Sequence, residues 1–182
     1  YTADPRMVKN AKKLDVITYD EMMDLSTAGA GVLHNRCVEM AKKYGVPLVV
    51  RSSLNNSEGT WVKEVTKKME RMLITGVALD NHAVRVSVIG LRDEPGRAFK
   101  LFDLLAKNHV NVDIILQSIG REGTKDISFT VASDDMEEAI KILEKNKERL
   151  TIQQVTWNED VAKLSIVGAG MMSNPGVAAK MF

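Results

Sequence analysis

The residues best equipped for chemistry are the run Asp93-Glu-Pro-Gly96 and the amide side chains of Asn111 and Gln117 that follow it. Pro95 has its φ preset for the first turn of a helix. Gly96 carries no side chain, so a small molecule can approach the backbone there. The unpaired amides of a helix start favour an anion such as an α-carboxylate. Asp93 precedes them and offers a charge to an α-ammonium. A carboxylate site beside an ammonium site is what an amino-acid zwitterion requires. The simpler use of Asp93 and Glu94 is to cap the helix. Acid-Pro-Gly turns are common, so on spacing alone capping stands ahead.

The elements around this run are legible. Ala83 to Gly90 alternates as a strand, and Gly96 to Asn108 places Ala98, Leu101, Phe102 and Leu105 on one helical face. Asn111 to Ile119 and Asp126 to Val131 read as strands. Asp134 or Asp135 caps a helix to about Asn146 that buries Met136, Ala139, Ile140 and Leu143. Leu150 to Trp157 closes the unit as a strand. The order β-α-β-β-α-β predicts a ferredoxin-like sheet with two helices on one face.

The strand-turn-helix sentence occurs twice. Val86-Ser-Val-Ile-Gly90 leads to Pro95-Gly96-Arg-Ala98-Phe-Lys100-Leu-Phe102, and Leu164-Ser-Ile-Val-Gly168 leads to Pro175-Gly176-Val-Ala178-Ala-Lys180-Met-Phe182. This marks a duplicated unit, and the second copy is expected to be cut short at Phe182. Ser173 and Asn174 stand there in place of Asp93 and Glu94. The second copy keeps the helix-start amides without the acid, so the first is expected to hold the ammonium.

Upstream, Tyr1 to Arg6 reads as loop, since Pro5 turns Asp4 away from helical angles. Thr18-Tyr-Asp-Glu21 is a capping box. It opens a helix through Leu25 that ends near Gly29-Ala-Gly31. A second helix covers Asn35 to Tyr44, with Val38, Met40 and Ala41 inward and Gly45 as left-handed cap. Val46 to Val50 is expected to be a short buried strand. This pattern fits the end of an α/β domain. Trp61 to Arg71 reads as a charged connector, and Leu73 to Leu79 as a strand interrupted by Gly76.

Other chemistries find little support. His34 and Cys37 are three apart, but a metal site needs three or four ligands. His82 and His109 lie far off, and there is no CxxC. The pair is expected to be partly buried and structural. No Ser/His/Asp set appears. Met22, Met23, Met40 and Met69 suit apolar gaps; Lys67, Lys68 and Arg71 suit a solvated face. With 25 basic and 24 acidic residues well mixed, the net charge of +1 argues against nucleic-acid binding. No apolar run approaches the roughly 20 residues that span a bilayer, and no signal peptide is visible. Cys37 is alone and cannot form an intrachain disulfide, which points to a reducing cytoplasm.

Several segments together resemble the aspartokinase family across essentially the whole chain. Tyr1-Thr-Ala-Asp-Pro-Arg6, Gly29-Ala-Gly-Val-Leu-His34, Val46-Pro-Leu-Val-Val-Arg-Ser-Ser53 and Glu58-Gly-Thr60 look like the closing part of its catalytic domain. Asp93-Glu-Pro-Gly96, Asn111-Val-Asp113, Gln117-Ser118 and Asp126-Ile-Ser-Phe-Thr130 are similar to its first ACT domain. Val167-Gly-Ala-Gly-Met-Met-Ser-Asn-Pro-Gly176 resembles its second. The fold class implied is α/β and α+β. Residues 1–62 would be the end of an amino-acid-kinase domain and 63–80 a connector and strand. Residues 81–157 would be a βαββαβ ACT domain, and 158–182 the start of a second ACT domain.

The resemblance implies an enzyme that phosphorylates the side chain of L-aspartate with ATP and magnesium, on the route to lysine, threonine and methionine. Tyr1 and Arg6 would line the nucleotide site near the adenine and the phosphates, with Gly31 and Val32 also in contact. Some members carry Lys where this chain has Gly31, and glycine supplies no charge. The resemblance places a feedback site for lysine, threonine or both at Asp93, Glu94, Pro95, Gly96, Arg97 and Ala98, then Asn111, Val112, Asp113 and Gln117. Val177 and Ala178 would contribute from the second unit. Ser128 falls where alteration relieves feedback in the family. Such pockets form between ACT units of two chains, so a homo-oligomer is implied. ACT units here also exchange strands, so Leu73 to Leu79 is a candidate for the second unit's sheet. The family's Lys-Phe-Gly-Gly-Thr-Ser-type motif is absent, so this chain alone is expected to be mainly regulatory and to lack kinase activity. A separate amino-acid-binding regulatory subunit is the alternative, against which the kinase-like residues Tyr1 to Thr60 argue. A purely structural dimerisation unit is a third reading, against which Asp93 beside Pro95-Gly96 speaks.

Overall fold

The computed structural model describes residues 1–64, 74–119, 123–168, 176, 177 and 179. The chain divides into two compact units, Tyr1–Asp80 with Lys163–Phe182, and Asn81–Ala162.

In the first unit, β1 (Val16–Thr18) feeds directly into α1 (Tyr19–Thr27). The capping box forms as predicted: the Thr18 hydroxyl accepts from the Glu21 amide, and the Glu21 carboxyl accepts from the Thr18 amide. At the far end Gly29 takes φ +99° and the Ala30 amide donates back to Leu25, the left-handed stop of a helix. His34 caps α2 (Asn35–Tyr44), which ends on Gly45 at φ +63°. β2 (Leu48–Val50) and β3 (Thr60–Lys63) follow, with β3 between parallel β1 and antiparallel β2. Then comes β4 (Gly76–Asp80). The core is Leu14, Ile17, Tyr19, Met22, Leu25, Val38, Ala41 and Val62, joined by Ala78 of β4 and by Val167.

The second unit begins with β5 (Ala83–Arg92), then α3 (Arg97–Lys107), β6 (Ile115–Ile119) and β7 (Thr124–Ala132). A 3₁₀ turn, Ser133–Asp135, leads into α4 (Met136–Lys145), followed by the short α5 (Lys147–Leu150) and β8 (Gln154–Asn158). The sheet is antiparallel in the order β6-β7-β5-β8, the ferredoxin-like arrangement that the sequence predicts. Val86, Val88, Ile127 and Phe129 alternate inward from the two central strands onto Leu101 and Leu105 of α3 and Ala139 and Leu143 of α4. Phe102 meets Phe129 edge-on at 5.7 Å between ring centres.

The chain then returns to the first unit as β9 (Lys163–Val167), which pairs antiparallel with β4 from Gly76↔Val167 to Asp80↔Lys163. The strand before the second unit thus pairs with the strand that opens the second copy. The copies also share backbone geometry, since Gly96 has φ +83° and Gly176 φ +90°. The rest of the second copy's turn and helix, including Pro175 and Ala178, lies outside the described residues, as do Leu73 and most of the expected connector.

Several expectations need correction. Trp61 is in β3, not a connector; β1 and β3 are too short to show alternation, although Ile17 and Val62 are fully buried. β2 is a half-exposed outer strand, with Val49 39% exposed, because only β3 covers it. Met40 is half exposed while its neighbours Val38 and Ala41 are buried. On α4, Ile142 is buried and Ile140 only half-buried, because the inward stripe runs Ala139, Ile142 and Leu143 at helical spacing and Ile140 sits at its edge. That helix has no side-chain cap from Asp134 or Asp135. β6 begins at Ile115 rather than Asn111, because Asp113 and Ile114 both bond to Thr130 and break the ladder there. Leu150 ends α5 and does not open a strand. His34 and Cys37 are exposed rather than partly buried.

Candidate functional site

A cleft of about 410 Å³ opens where β5 leaves the sheet and α3 begins. Its wall includes every residue from Asp93 to Ala98, with Gln117 of β6 and Lys125 of β7 facing them. Of the residues expected to bind an amino acid, it brings together Asp93, Glu94, Pro95, Gly96, Arg97, Ala98 and Gln117. Asn111, Val112 and Asp113 do not line it. Val112 packs partly buried against the unit's core, and the Asp113 amide donates to the Thr130 carbonyl at 3.0 Å. Val177 is half-buried and belongs to the other unit; Ala178 lies outside the described residues.

The helix start carries no side-chain cap. Gly96 is its N-cap, in the left-handed region. The Arg97 amide is taken by the Glu94 carbonyl at 3.2 Å. The amides of the next positions are the orphan donors that every helix start leaves. The capping reading of Asp93 and Glu94 therefore fails at the side-chain level.

The charges in the cleft are already paired. Glu94 binds Arg97, with oxygen-nitrogen distances of 2.6 and 2.8 Å, and Arg92 at 3.4 Å. The hydrogen bond from Arg97 holds the Glu94 carboxyl below the usual range. Asp93 is not open to a ligand's ammonium: Lys125 Nζ stands 2.7 Å from its carboxylate. Lys125 is the residue that reading the sequence missed. Its signal lies in the hairpin register, where Lys125 pairs with Leu91 on one side and Ile119 on the other, two residues from Asp93. Ser128 does not line the cleft. It shares a hydrogen bond of 2.8 Å with Ser87 between the two central strands, between core residues Ile127 and Phe129.

The proposed nucleotide residues sit on the first unit. Tyr1 is 59% exposed and Val32 51%. Gly31 has φ +63°. Asp4 grips Arg6 by both oxygens, with Nε at 3.1 Å and Nη2 at 2.7 Å, and this pairing holds the Asp4 carboxyl below its ordinary range. The fork presents a planar guanidinium at the surface, the geometry suited to phosphate oxygens. Both segments, that of Tyr1 and Arg6 and that of Gly31 and Val32, reach β4. The Thr2 carbonyl accepts from the Val77 amide at 2.8 Å, and Gly29 abuts Asp80. Among the described residues, no cluster of three or more His, Cys, Asp or Glu could hold a metal ion. Among them, too, no helix is long and apolar enough to cross a membrane.

Comparison with known proteins agrees with both halves. The amino acid kinase family model matches residues 1–52, and the ACT domain model residues 86–146. Aspartokinase from Bacillus sp. (strain MGA3) is 48% identical over 182 residues, covering 100% of this chain and 44% of the relative. The chain thus spans less than half the length of such relatives. The regulatory subunit of aspartate kinase from Thermus thermophilus, in its ligand-free form, is 39% identical, covering 61% of this chain and 73% of that one at a TM-score of 0.56. E. coli aspartokinase III in complex with aspartate and ADP is 25% identical, covering 100% of this chain and 40% of that one at a TM-score of 0.82. By a kinase-family segment, an ACT unit between paired β4 and β9, and identity running from end to end, this chain belongs to the aspartokinase family.

Proposed function

We propose that the protein containing this chain transfers the terminal phosphoryl group of ATP to the side-chain carboxylate of L-aspartate, giving 4-phospho-L-aspartate and ADP. In this reading the chain supplies the amino-acid-sensing part and the rim of the nucleotide site. The observation that carries the kinase reading is the identity to aspartokinases over the whole chain; the cleft beside Gly96, an uncapped helix start next to an acid, supports the sensing part. The E. coli relative's complex with aspartate and ADP supports the choice of substrates.

The residues divide the work as follows. Tyr1 and Val32 flank the nucleotide base, and Arg6 meets phosphate oxygens once Asp4 shares it. Backbone at Gly31 allows close approach. Magnesium would arrive with the phosphates, as it commonly does in phosphoryl transfer. In the cleft, the amides after Gly96 take an effector's carboxylate, and Asp93 takes its ammonium after Lys125 swings aside. Gln117 adds an amide. Lysine and threonine are the candidate effectors, and cytoplasm is the proposed compartment.

β6 supports self-association. It is the outer strand of its sheet, and Ile115, Leu116 and Ile119 on it are 50%, 64% and 95% exposed. An apolar edge of this kind seeks a second strand. We read it as the surface that meets another copy. Sedimentation that shows a monomer at every concentration would remove that part of the proposal.

The test is ADP release by the full-length protein with ATP and aspartate, alongside calorimetric titration with lysine, threonine, methionine and aspartate. Aspartate-dependent ADP release, with lysine or threonine both binding and inhibiting, is the expected result. Binding without any aspartate-dependent turnover would leave only a regulatory subunit.

A further inference from the structure

The buried polar residues among those described are Thr18, Glu21 and Thr75, and they form one cluster. Glu21 accepts from the Thr18 amide at 3.1 Å, from the Thr18 hydroxyl at 2.9 Å, and on its other oxygen from the Thr75 hydroxyl. The first two bonds finish the helix start. The third does something else, because Thr75 is 54 residues away and immediately precedes β4. The Thr75 amide in turn donates to the Val167 carbonyl of β9.

The contact continues along the helix. A Cβ on Gly76 would stand 3.3 and 3.4 Å from the two Leu25 methyls and 3.4 Å from the Thr2 carbonyl oxygen. A Cβ on Gly29 would stand 2.9 Å from the Asp80 side chain. Glu21, Leu25 and Gly29 therefore follow Thr75, Gly76 and Asp80 in order. The helix and the turn after it thus meet β4 at both of its ends, at Thr75–Gly76 and at Asp80. The other edge of β4 holds the Thr2 carbonyl at Val77. One strand thus touches the chain next to Tyr1 and the turn that leads into Gly31 and Val32.

We infer that Thr75 and Gly76 are positioning residues for the nucleotide site: β4, pinned to α1 through Glu21, sets the spacing between the Tyr1 segment and the Gly29–Val32 turn. The inference rests on the nucleotide reading of those residues. Neither residue touches the substrate in this arrangement; both act through the backbone they hold.

The experiment is steady-state kinetics of the full-length protein bearing Thr75→Val, which keeps the shape and removes the hydroxyl. The expected result is a KM for ATP raised about threefold or more, with kcat within about twofold and the KM for aspartate unchanged. Thr75→Ser should restore the wild-type value. Val62→Ala is the control, an apolar truncation in the same core. It should lower the melting temperature without moving the KM for ATP. Should Thr75→Val fail to fold, Gly76→Ala presses the strand from Leu25 and Thr2 and should raise the same constant. An unchanged KM for ATP in the folded variants overturns the inference, as does an equal rise in Val62→Ala. Wild-type protein that shows no aspartate-dependent ADP release instead overturns the functional reading on which it rests.

Discussion

Lys125 Nζ sits 2.7 Å from the Asp93 carboxylate, the acid to which the proposed function assigns a ligand's ammonium. The protein's own amine therefore competes with the effector's. The pair is part-exposed, and such pairs hold weakly, so a ligand can displace it. Displacement leaves Lys125 as a free positive charge in the cleft, which disfavours a second cation. Lys125→Met is expected to tighten lysine binding by about tenfold relative to threonine, an amount of about 1.4 kcal/mol. Parallel titrations of wild type and variant with both amino acids give the ratio directly. A ratio that does not move would show that Lys125 has no part in selection.

Asp93→Ala should weaken every zwitterionic effector while leaving the fold in place, because its backbone amide bond to the Gly123 carbonyl at 2.9 Å remains. Circular dichroism should be unchanged and calorimetric affinity reduced. Equal affinity for both proteins would mean that the ammonium is bound elsewhere.

Leu101 on α3 is fully buried against the sheet below the cleft. Leu101→Ala should cost about 2–5 kcal/mol, read as a lower denaturant midpoint for the second unit. Because α3 carries the cleft's amides, effector affinity should fall too. A loss of stability with full affinity would separate the helix start from the core beneath it.

Gly90 holds φ +70° where the β5 ladder to β7 slips between Val88 and Leu91, and its amide donates to Asp126 at 2.8 Å. A Cβ there would also overlap the Gln153 side chain. The left-handed backbone alone costs an L-residue about 1–2 kcal/mol, so Gly90→Ala should destabilise by at least about 1 kcal/mol. Adding Gln153→Gly should recover the steric part and leave the backbone part. If the double variant is no better than the single one, Gln153 moves away freely.

Asp24 lies in the last turn of α1, four residues after Asp20. Burial first, and then Asp20 and Glu21, raise its carboxyl above the ordinary aspartate range. A raised acid means that the folded state disfavours the charge. The penalty is absent in strong acid, grows as pH rises through the ordinary aspartate range, and is complete above the raised value. Asp24→Asn should therefore stabilise at neutral pH by a few tenths of a kcal/mol to about 0.5, and this gain should vanish in acid. Chemical denaturation at pH 7 and below pH 3 measures both ends; a gain equal at the two pH values would point away from charge.

The second unit was readable because its elements are long and alternate cleanly. Val86, Val88, Ile127 and Phe129 keep period two, and Leu101 and Leu105 keep the helical period. The Asp93-to-Ala98 face of the cleft followed from local chemistry in the same way. Lys125 did not, since only the pairing of β5 with β7 carries it to Asp93. β1 and β3 escaped notice because three or four residues are too few for a pattern, and their burial comes from partners far along the chain. Thr75 was invisible for a similar reason. A single threonine before a strand says nothing until Glu21 is found beside it.

The antiparallel pairing of β4 with β9 places Asp80 opposite Lys163, with 3.5 Å between their charged groups. Everything from Asn81 to Ala162 is therefore enclosed by one hairpin, as an exceptionally long loop between its two arms. Lengthening a closed loop costs little, about 0.6 kcal/mol per doubling, and segments with adjoining ends are the ones chains accept as insertions. The Asn81–Ala162 unit is in this sense a cassette. A two-residue turn joining Asp80 to Lys163 would close the same hairpin without it, and another compact unit with neighbouring ends could be spliced into its place.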